Sequence, residues 1–248
     1  MLKKLAALSV VAVLAAPAQA QELDEVLSNY YEAVGGFDAW QSVQSMKMTG
    51  KMMMGGMGIE APFTVLVKRP NKGRIEFIFQ GMTGLQAFDG ETAWQVMPFL
   101  GNPDPEELTE DESEDVRDTA DLDGPLMGYE ESGHQVEFVG LEETEGTQAY
   151  KLKVTLTSGS VQYYYLDSEY FVPIRMDVAR ESQGRTVEFE TIFSDYKEVG
   201  GLLIPYSVET RPKGAPAGQV ITIDLVELNV ELDDALFVMP EKSEGGQQ

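Results

Sequence analysis

The strongest constraint on the fold is an alternation of apolar and polar residues that begins at Ser45 and continues through "VITIDLVELNV" near the C-terminus. In "AYKLKVTLT", for example, Tyr150, Leu152 and Val154 alternate with lysines and a threonine. Successive side chains of a strand point to opposite faces, so this alternation predicts half-buried β-strands. About ten or eleven such runs follow one another at hairpin spacing, without helices between them. The sequence therefore predicts an α+β fold with a single antiparallel sheet.

One amphipathic helix is predicted before the strands. Apolar residues from Leu23 to Val34 recur at helical spacing and form a single stripe. Gly35 and Gly36 are typical of a helix end, and "FDAWQSV" predicts one further short helical turn. In the last strand the alternation changes phase between Leu225 and Val226, which predicts a β-bulge.

The N-terminus has the pattern of a secretory signal peptide. Two lysines precede an apolar run over residues 5–16, and small residues follow at Ala18 and Ala20. We expect residues 1–20 to be cleaved and residues 21–248 to form a single exported domain. Gln21 stands where a lipoprotein would carry its acylated cysteine, so we expect no lipid anchor. No later stretch approaches transmembrane length, so we do not expect an integral membrane protein.

Charge and cysteine content exclude several classes of protein. The chain contains no cysteine, which removes thiol chemistry and disulfides. Its formal net charge is −24, so nucleic acid and anionic membrane surfaces would meet a field of like sign. The acidic surface could serve a salt-rich habitat or a basic partner, and the composition does not distinguish between them.

An acidic segment at residues 100–132 interrupts the series of strands. It is nearly devoid of aromatic residues and longer than an ordinary hairpin loop, and such segments are functional lids or disordered loops. Residues 106–120 could form a helix within it. Both interpretations, a lid and a disordered loop, remain open from the residues alone.

No catalytic or metal-binding motif is present. His134 is the one histidine, and no nucleophile elbow, zinc-protease motif, phosphate loop or dinucleotide fingerprint occurs. "ADLDGPL" resembles a calcium loop only faintly, since Leu126 and Ser132 stand where glycine and glutamate are needed. We therefore predict a protein without enzymatic activity, metal or cofactor.

The methionines of "SMKMTGKMMMGGM" are the most unusual local feature. Met46, Met48, Met52 and Met54 share one face of the predicted strand, and Gly50 interrupts that face. Methionine is soft and adapts to varied apolar ligands, although the same residues could simply pack in a protein core. Thioethers also suit copper(I), which is a less favoured alternative because alternate strand residues lie about 6.7 Å apart.

Arg69 follows the apolar face of a second strand. It is in phase with Phe63, Val65 and Val67, and a buried unpaired guanidinium would cost several kcal/mol. Arg69 must therefore reach water at the strand end or bind whatever covers the apolar face. The second interpretation places it at the gate of an apolar cavity, beside the acidic segment.

These stretches resemble the family of the lipoprotein carrier LolA, which shares its fold with LolB and LppX. The resemblance is most specific in "VLVKRPNKGRIEF" and "FDGETAWQVMPF", and "LDDALFVMP" is similar to the closing segment of the family. The matching positions are Val67, Lys68, Arg69, Pro70, Asn71, Asp89, Gly90, Thr92, Trp94, Pro98 and Phe99. One departure is Gly73, which stands where the carriers have an apolar aromatic residue.

The resemblance implies a strongly curved open half-barrel whose concave apolar face holds acyl chains beneath a helical lid. It also implies that Arg69 tethers the lid when the carrier is empty. The function implied is that of a periplasmic carrier that shields the acyl chains of lipoproteins and sorts them from the inner to the outer membrane. Its partners would be acylated lipoproteins or lipid acyl chains, an inner-membrane exporter and an outer-membrane receptor.

The alternative function within the same fold is a periplasmic protein that binds free lipid or senses envelope stress. Residues and resemblance together predict the side chains that line the cavity. They are Met46, Met48, Met52, Met54, Phe63, Val65, Val67, Arg69, Ile75, Phe77, Phe79 and Trp94.

Overall fold

The computed structural model describes residues 15–54, 58–182 and 185–241 of the chain. Residues 1–14 of the predicted signal peptide lie outside the described residues, and cleavage after Ala20 stays a prediction. In the described part of the chain, no helix is long and apolar enough to cross a membrane.

Within the described residues, thirteen strands form one antiparallel sheet that does not close into a barrel, which confirms the predicted α+β fold and open half-barrel. The order runs from β1 outward to the edge strand β6, restarts at the opposite edge with β7, and returns to β13 beside β1. The strands are β1 (Ser45–Met54), β2 (Ile59–Lys68), β3 (Lys72–Phe79), β4 (Met82–Phe88), β5 (Ala93–Met97), β6 (Asn102–Glu107), β7 (Gln135–Thr144), β8 (Thr147–Thr155), β9 (Val161–Asp167), β10 (Pro173–Ser182), β11 (Arg185–Val199), β12 (Leu202–Pro212) and β13 (Gln219–Leu228).

The sheet has more strands than the ten or eleven expected, and β6 shows why. Its sequence, "NPDPEE", has no apolar alternation and contains Pro103 and Pro105, so it does not read as a strand. Proline lacks the donor that a central strand needs but is tolerated at an edge. β6 forms the edge beside β5, where only one of its sides needs hydrogen bonds.

The predicted bulge is present and lies slightly earlier in the strand. Thr49 of β1 pairs with Leu225 whereas Gly50 pairs with Ile223, so Asp224 is the additional residue in β13. Gly50 is required here because a Cβ atom would lie 2.1 Å from the carbonyl oxygen of Thr222. The glycine that interrupts the methionine face is therefore explained by close approach of the backbone of β13.

In the part of the chain that the structure describes, three α-helices cover one face of the sheet, which we call the inner face. They are α1 (Ala15–Ala33), α2 (Phe37–Ser42) and α3 (Glu110–Ala120). The predicted stripe on α1 is confirmed: Leu23, Val26 and Leu27 are buried against residues of β7, β8 and β9. α3 packs on the same face at the other end of the sheet, mainly on β3, β4 and β5.

The centre of the inner face is filled by a core cluster beneath α2. Buried residues of β1, β2, β12 and β13 meet there, and Ala39 and Trp40 of α2 pack against them together with Leu122. Gly35 and Gly36, with φ values of 111° and 98°, end α1 and turn the chain into α2, as predicted.

Candidate functional site

The acidic segment between β6 and β7 is an ordered cover of the inner face. Because β6 and β7 are the two edges of the open sheet, residues 108–134 must cross the half-barrel from one edge to the other. Thr109 and Glu112 begin α3 with a capping box, in which each side chain binds the backbone N–H of the other residue. Val116 and Ala120 then pack on the sheet. We call residues 108–134 the lid segment.

Gly73 brings α3 close to the sheet. A Cβ atom at this position would lie 2.8 Å from the Cβ of Ala120 and 2.9 Å from its Cα, so no larger residue fits without moving the helix. The glycine at position 73, where the sequence motif would have an aromatic residue, therefore coincides with the close approach of α3. The missing side chain at Gly73 gives the lid segment room to rest on β3.

Arg69 joins the lid segment to the sheet and to α2. Its guanidinium makes two hydrogen bonds to the Asp123 carboxylate, Nη1 to Oδ2 at 2.5 Å and Nη2 to Oδ1 at 2.6 Å. Nε donates to the carbonyl of Val43 at 2.7 Å, and Nη2 also donates to the carbonyl of Trp40 at 3.2 Å. The side chains of Arg69 and Asp123 are only 17% and 18% exposed. Arg69 is therefore paired with the lid segment and does not simply extend into water.

The electrostatics of this contact favour a lasting ion pair. The hydrogen-bonded Asp123 carboxylate raises the pKa of Arg69 above its usual value. Burial raises the pKa of Asp121, although the backbone N–H of Asp123 donates to its carboxylate at 3.0 Å. The turn after α3 thus places two carboxylates near Arg69: Asp123 is mostly buried and is neutralised by the guanidinium, whereas Asp121, taken as a whole residue, is exposed.

A pocket of about 210 Å³ lies behind Asp123, between the helices and the sheet. Its lining comes from α1 and the turn that follows it, from α2, from the turn after α3 and from β9 to β12. Aromatic, proline and aliphatic side chains dominate the lining. The lining residues are Tyr30, Val34, Trp40, Asp123, Gly124, Pro125, Leu126, Tyr164, Pro173, Phe193, Tyr196, Leu203 and Pro205.

The predicted methionine face lies beside this pocket and does not line it. Met46 is buried in the central core cluster, Met48 and Met52 are half-buried against that cluster, and the side chain of Met54 lies outside the described residues. Met53 points to the opposite face and is 48% exposed. The alternation along β1 is therefore as predicted, but in this conformation Met46 packs in a core beneath α2.

The other predicted residues of β2 and β3 share the inner face with the methionines. Phe63, Val65 and Val67 are buried in the central core cluster. Ile75 and Phe77 are half-buried against it, and they pair across the strands with Val65 and Phe63. The structure brings these residues together on one apolar surface, although none of them lines the pocket behind Asp123.

Phe79 extends this apolar surface at the end of β3. Its ring contacts that of Phe99 in the 3₁₀ turn Pro98–Leu100, with the ring centroids 5.4 Å apart. Phe77 contacts the same ring at 5.7 Å. The turn that leads into the acidic segment 100–132 is therefore held to the sheet by contacts of Phe99 with two rings of β3.

The structure corrects the prediction that Trp94 lines the cavity. Trp94 lies on the outer face of the sheet, opposite to the helices. It pairs with Ala87 of β4 and clusters with Leu85 and Val96 of the same face. Its Nε1 donates to the carbonyl of Phe237 at 2.7 Å. Strand alternation predicts that Trp94 and Val96 share a face, but it does not tell which face the C-terminal segment covers.

The residues of the pocket were missed for two different reasons. Tyr30 and Val34 belong to the predicted helical stripe, and that stripe indicates contact with the sheet without indicating a hollow. Asp123 was considered only as part of a calcium loop. Within the described residues no group of three or more histidine, aspartate or glutamate side chains could hold a metal ion.

Comparisons with known proteins agree with this architecture. No family model matches the chain, and no curated protein matches it in sequence. Among solved structures, a DUF1329 family protein from Desulfovibrio piger is 15% identical with a TM-score of 0.60, over 87% of this chain and 97% of that protein. A LolA superfamily protein from Nitrosomonas europaea is 14% identical with a TM-score of 0.58, over 87% and 97% of the two chains.

A third solved structure is a domain assigned to outer membrane lipoprotein sorting, from Vibrio parahaemolyticus. It is 14% identical with a TM-score of 0.56, over 88% of this chain and 97% of that domain. At these identities the similarity concerns the fold. The chain has the LolA-like fold, as its sequence motifs predicted.

Proposed function

We propose that this protein is a periplasmic carrier that shields the acyl chains of lipoproteins and moves them from the inner to the outer membrane. The observation that carries the proposal is the ion pair between Arg69 and Asp123, which holds the lid segment over an apolar face. Its support is the LolA-like fold, together with solved structures from a LolA superfamily protein and a lipoprotein-sorting domain. We propose no enzymatic activity and no cofactor.

The size of the pocket supports a carrier in its empty, closed form. A volume of about 210 Å³ is below the roughly 300–1,000 Å³ of sites that hold drug-sized ligands. A whole acyl chain therefore does not fit until the lid segment moves. Separation of Asp123 from Arg69 would open the entrance of the pocket and give an acyl chain access to the inner face.

The methionine face supplies a lining once the cover has moved. Met48 and Met52 are half-buried beside Ile75 and Phe77, and flexible thioether side chains re-pack around ligands of varied shape. Each buried methylene of an acyl chain contributes about 0.8 kcal/mol, so partial burial of two or three chains keeps a lipoprotein in water. A lining without specific polar contacts also permits release.

The partners of such a carrier would be acylated proteins, an inner-membrane exporter and an outer-membrane receptor. The predicted signal peptide supports an exported carrier. We therefore propose export to the periplasm, where no disulfide is needed to stabilise the fold.

Mass spectrometry of the protein purified without detergent from its native cell envelope tests this proposal. We expect acylated proteins to co-elute and to be released by detergent, and a sample stripped by detergent beforehand serves as the control. Free lipid alone would support the lipid-binding alternative instead. A protein that carries no acyl compound and takes up none from lipoprotein-containing membranes would contradict the proposal.

A further inference from the structure

The polar groups of the pocket behind Asp123 indicate which part of a ligand it recognises. Four tyrosines lie in or beside this pocket, and three of them use their hydroxyl groups within the protein. Tyr31 donates to the carbonyl of Leu126 at 2.9 Å. Tyr196 donates to the carbonyl of Pro173 at 2.5 Å. Tyr164 donates to the side-chain oxygen of Gln162 at 3.1 Å.

Tyr30 differs from its neighbours. Its side chain lines the pocket, and its ring lies 5.5 Å from that of Tyr31. Within the described residues its hydroxyl group has no hydrogen-bond partner. Tyr30 is half-buried, and its hydroxyl is not among the buried side-chain atoms that lack a partner, so this hydroxyl remains open to the pocket. The Tyr30 hydroxyl is therefore a donor available to a ligand in the pocket.

The state of this donor does not change near neutral pH. Burial, the neighbouring Tyr31 and the Asp123 carboxylate all raise the pKa of Tyr30 above its ordinary value. A phenol with a raised pKa stays protonated, so the hydroxyl of Tyr30 keeps its hydrogen for donation.

The charges around the pocket select against anionic ligands. Among the described lining residues there is no lysine, arginine or histidine. The one charged lining residue is Asp123, and Arg69 already satisfies both of its carboxylate oxygens. One guanidinium, that of Arg69, would then serve two carboxylates, so a free fatty acid leaves either its own carboxylate or that of Asp123 without a cation, which is unfavourable at low dielectric. A neutral acceptor avoids this cost.

We propose that Tyr30 recognises the ligand: its hydroxyl donates a hydrogen bond to the neutral carbonyl that joins an acyl chain to its glycerol or protein. The ligand class is thereby narrowed to ester- or amide-linked acyl chains, in preference to free fatty acids. This inference rests on the proposed function, since it assumes that acyl chains enter the pocket. The apolar walls hold the first methylenes of the chain, and Tyr30 fixes the depth of the carbonyl.

Calorimetric titration with matched probes tests the inference. The probes are a monoacylglycerol, the alkyl glyceryl ether of equal chain length that lacks the carbonyl, and the corresponding free fatty acid. We expect the unaltered protein to bind the ester roughly two- to tenfold more tightly than the ether, the range of one net hydrogen bond. We expect the fatty acid to bind most weakly.

The variant Tyr30→Phe should bind ester and ether equally while keeping the affinity for the ether. Tyr31→Phe is the matched control, because the same substitution one residue along α1 removes a hydroxyl already bonded to Leu126. This control should keep the preference for the ester. Tyr30→Phe removes no hydrogen bond within the described protein, so its unfolding midpoint should match that of the unaltered chain.

Two results would overturn the inference, and they have different meanings. Equal binding of ester and ether by the unaltered protein, or an unchanged preference in Tyr30→Phe, would refute the role of Tyr30 and leave the proposed carrier function intact. Failure of the unaltered protein to bind any of the three probes would refute both.

Discussion

Arg69 and Asp123 are separated by 54 positions in the chain and form the contact on which the proposed mechanism depends. Sequence alone places Arg69 in phase with an apolar strand face and leaves two outcomes, solvation at the strand end or pairing with a cover. In the structure Arg69 is paired, because the turn after α3 places the Asp123 carboxylate against its guanidinium. The sequence therefore allowed a contact between Arg69 and a cover, but it did not identify Asp123 as the partner.

Replacement of Arg69 by leucine should loosen the cover. Asp123 would lose its cation in a site where both side chains are mostly buried, and the carbonyls of Trp40 and Val43 would lose a donor. We expect a loss of about 1–3 kcal/mol in the free energy of unfolding, less than for a fully buried pair because some solvent reaches the site. Urea unfolding measures this loss, and acyl-probe exchange should become faster.

Two control variants complete the comparison: the single variant Asp123→Leu and the double variant Arg69→Leu/Asp123→Leu. The double variant should be more stable than the sum of the two single losses predicts, since no unpaired charge remains. Additive losses, or exchange at the unaltered rate in Arg69→Leu, would show that the ion pair does not secure the lid segment.

At the scale of elements, the lid segment follows from topology. The two strands that flank it, β6 and β7, are the opposite edges of the open sheet, so the connection has to cross the inner face. β6 was not evident from the residues, because it contains two prolines and lacks apolar alternation. A helix within residues 106–120 was foreseen, but it begins at Glu110 because Glu106 and Glu107 pair in β6. Its position on β3 depends on Gly73.

The substitution Gly73→Ala should displace α3 from the sheet. The new Cβ atom would lie 2.8 Å from the Cβ of Ala120 and 2.9 Å from its Cα, so the helix backbone itself must move. Overpacking of this kind costs about 1–3 kcal/mol. We expect faster hydrogen exchange of the α3 amides, with exchange in α1 unchanged.

Removal of the opposing methyl group is the matched control for this substitution. Gly73→Ala/Ala120→Gly should recover part of the protection of α3, because it removes the methyl group that the new Cβ atom would meet. Slower or unchanged exchange of α3 in Gly73→Ala would contradict the explanation that the glycine makes room for the lid segment.

The C-terminal segment is a second element whose position sequence reasoning missed. Its side chain Phe237 is fully buried, and its backbone accepts hydrogen bonds from Trp94 and from Arg74 on the outer face. This segment covers the outer face, opposite to the helices. The prediction from sequence had assigned Trp94 to the inner face. An alternating strand predicts two faces equally well, and only the covering segments distinguish them.

At the scale of the whole molecule, acidic residues outnumber basic ones by 42 to 18. Many of the basic residues are already paired at the surface, as in the contacts Lys47–Glu227 and Lys51–Glu60 at 3.0 Å. The remaining negative charge repels itself more strongly in the folded protein than in the expanded chain. Net charge, unlike the individual ion pairs, is a property that composition alone determines.

Added sodium chloride should therefore raise the thermal midpoint. The Debye length falls from about 10 Å at 0.1 M salt to about 3 Å at 1 M, which screens the self-repulsion. A gain of roughly 1–2 kcal/mol corresponds to about 2–8 °C for a chain of this size. Differential scanning calorimetry over a salt series measures the shift.

A variant with fewer exposed carboxylates on α1 provides the comparison. Glu22→Gln/Glu25→Gln/Glu32→Gln changes three exposed residues and should reduce the salt dependence. A midpoint that falls with salt would show that surface ion pairs outweigh the repulsion.

The sequence by itself determined the antiparallel strands, the helical stripe of α1, the shared face of the methionines and the acidic charge. These properties depend on residues near one another in the chain, where backbone periodicity imposes the pattern. Only the tertiary structure decided that Asp123 meets Arg69, that Trp94 faces outward and that Tyr30 borders a pocket. The reason is physical: each of these contacts joins distant segments, and depends on how the open sheet curves and on which segment covers each face.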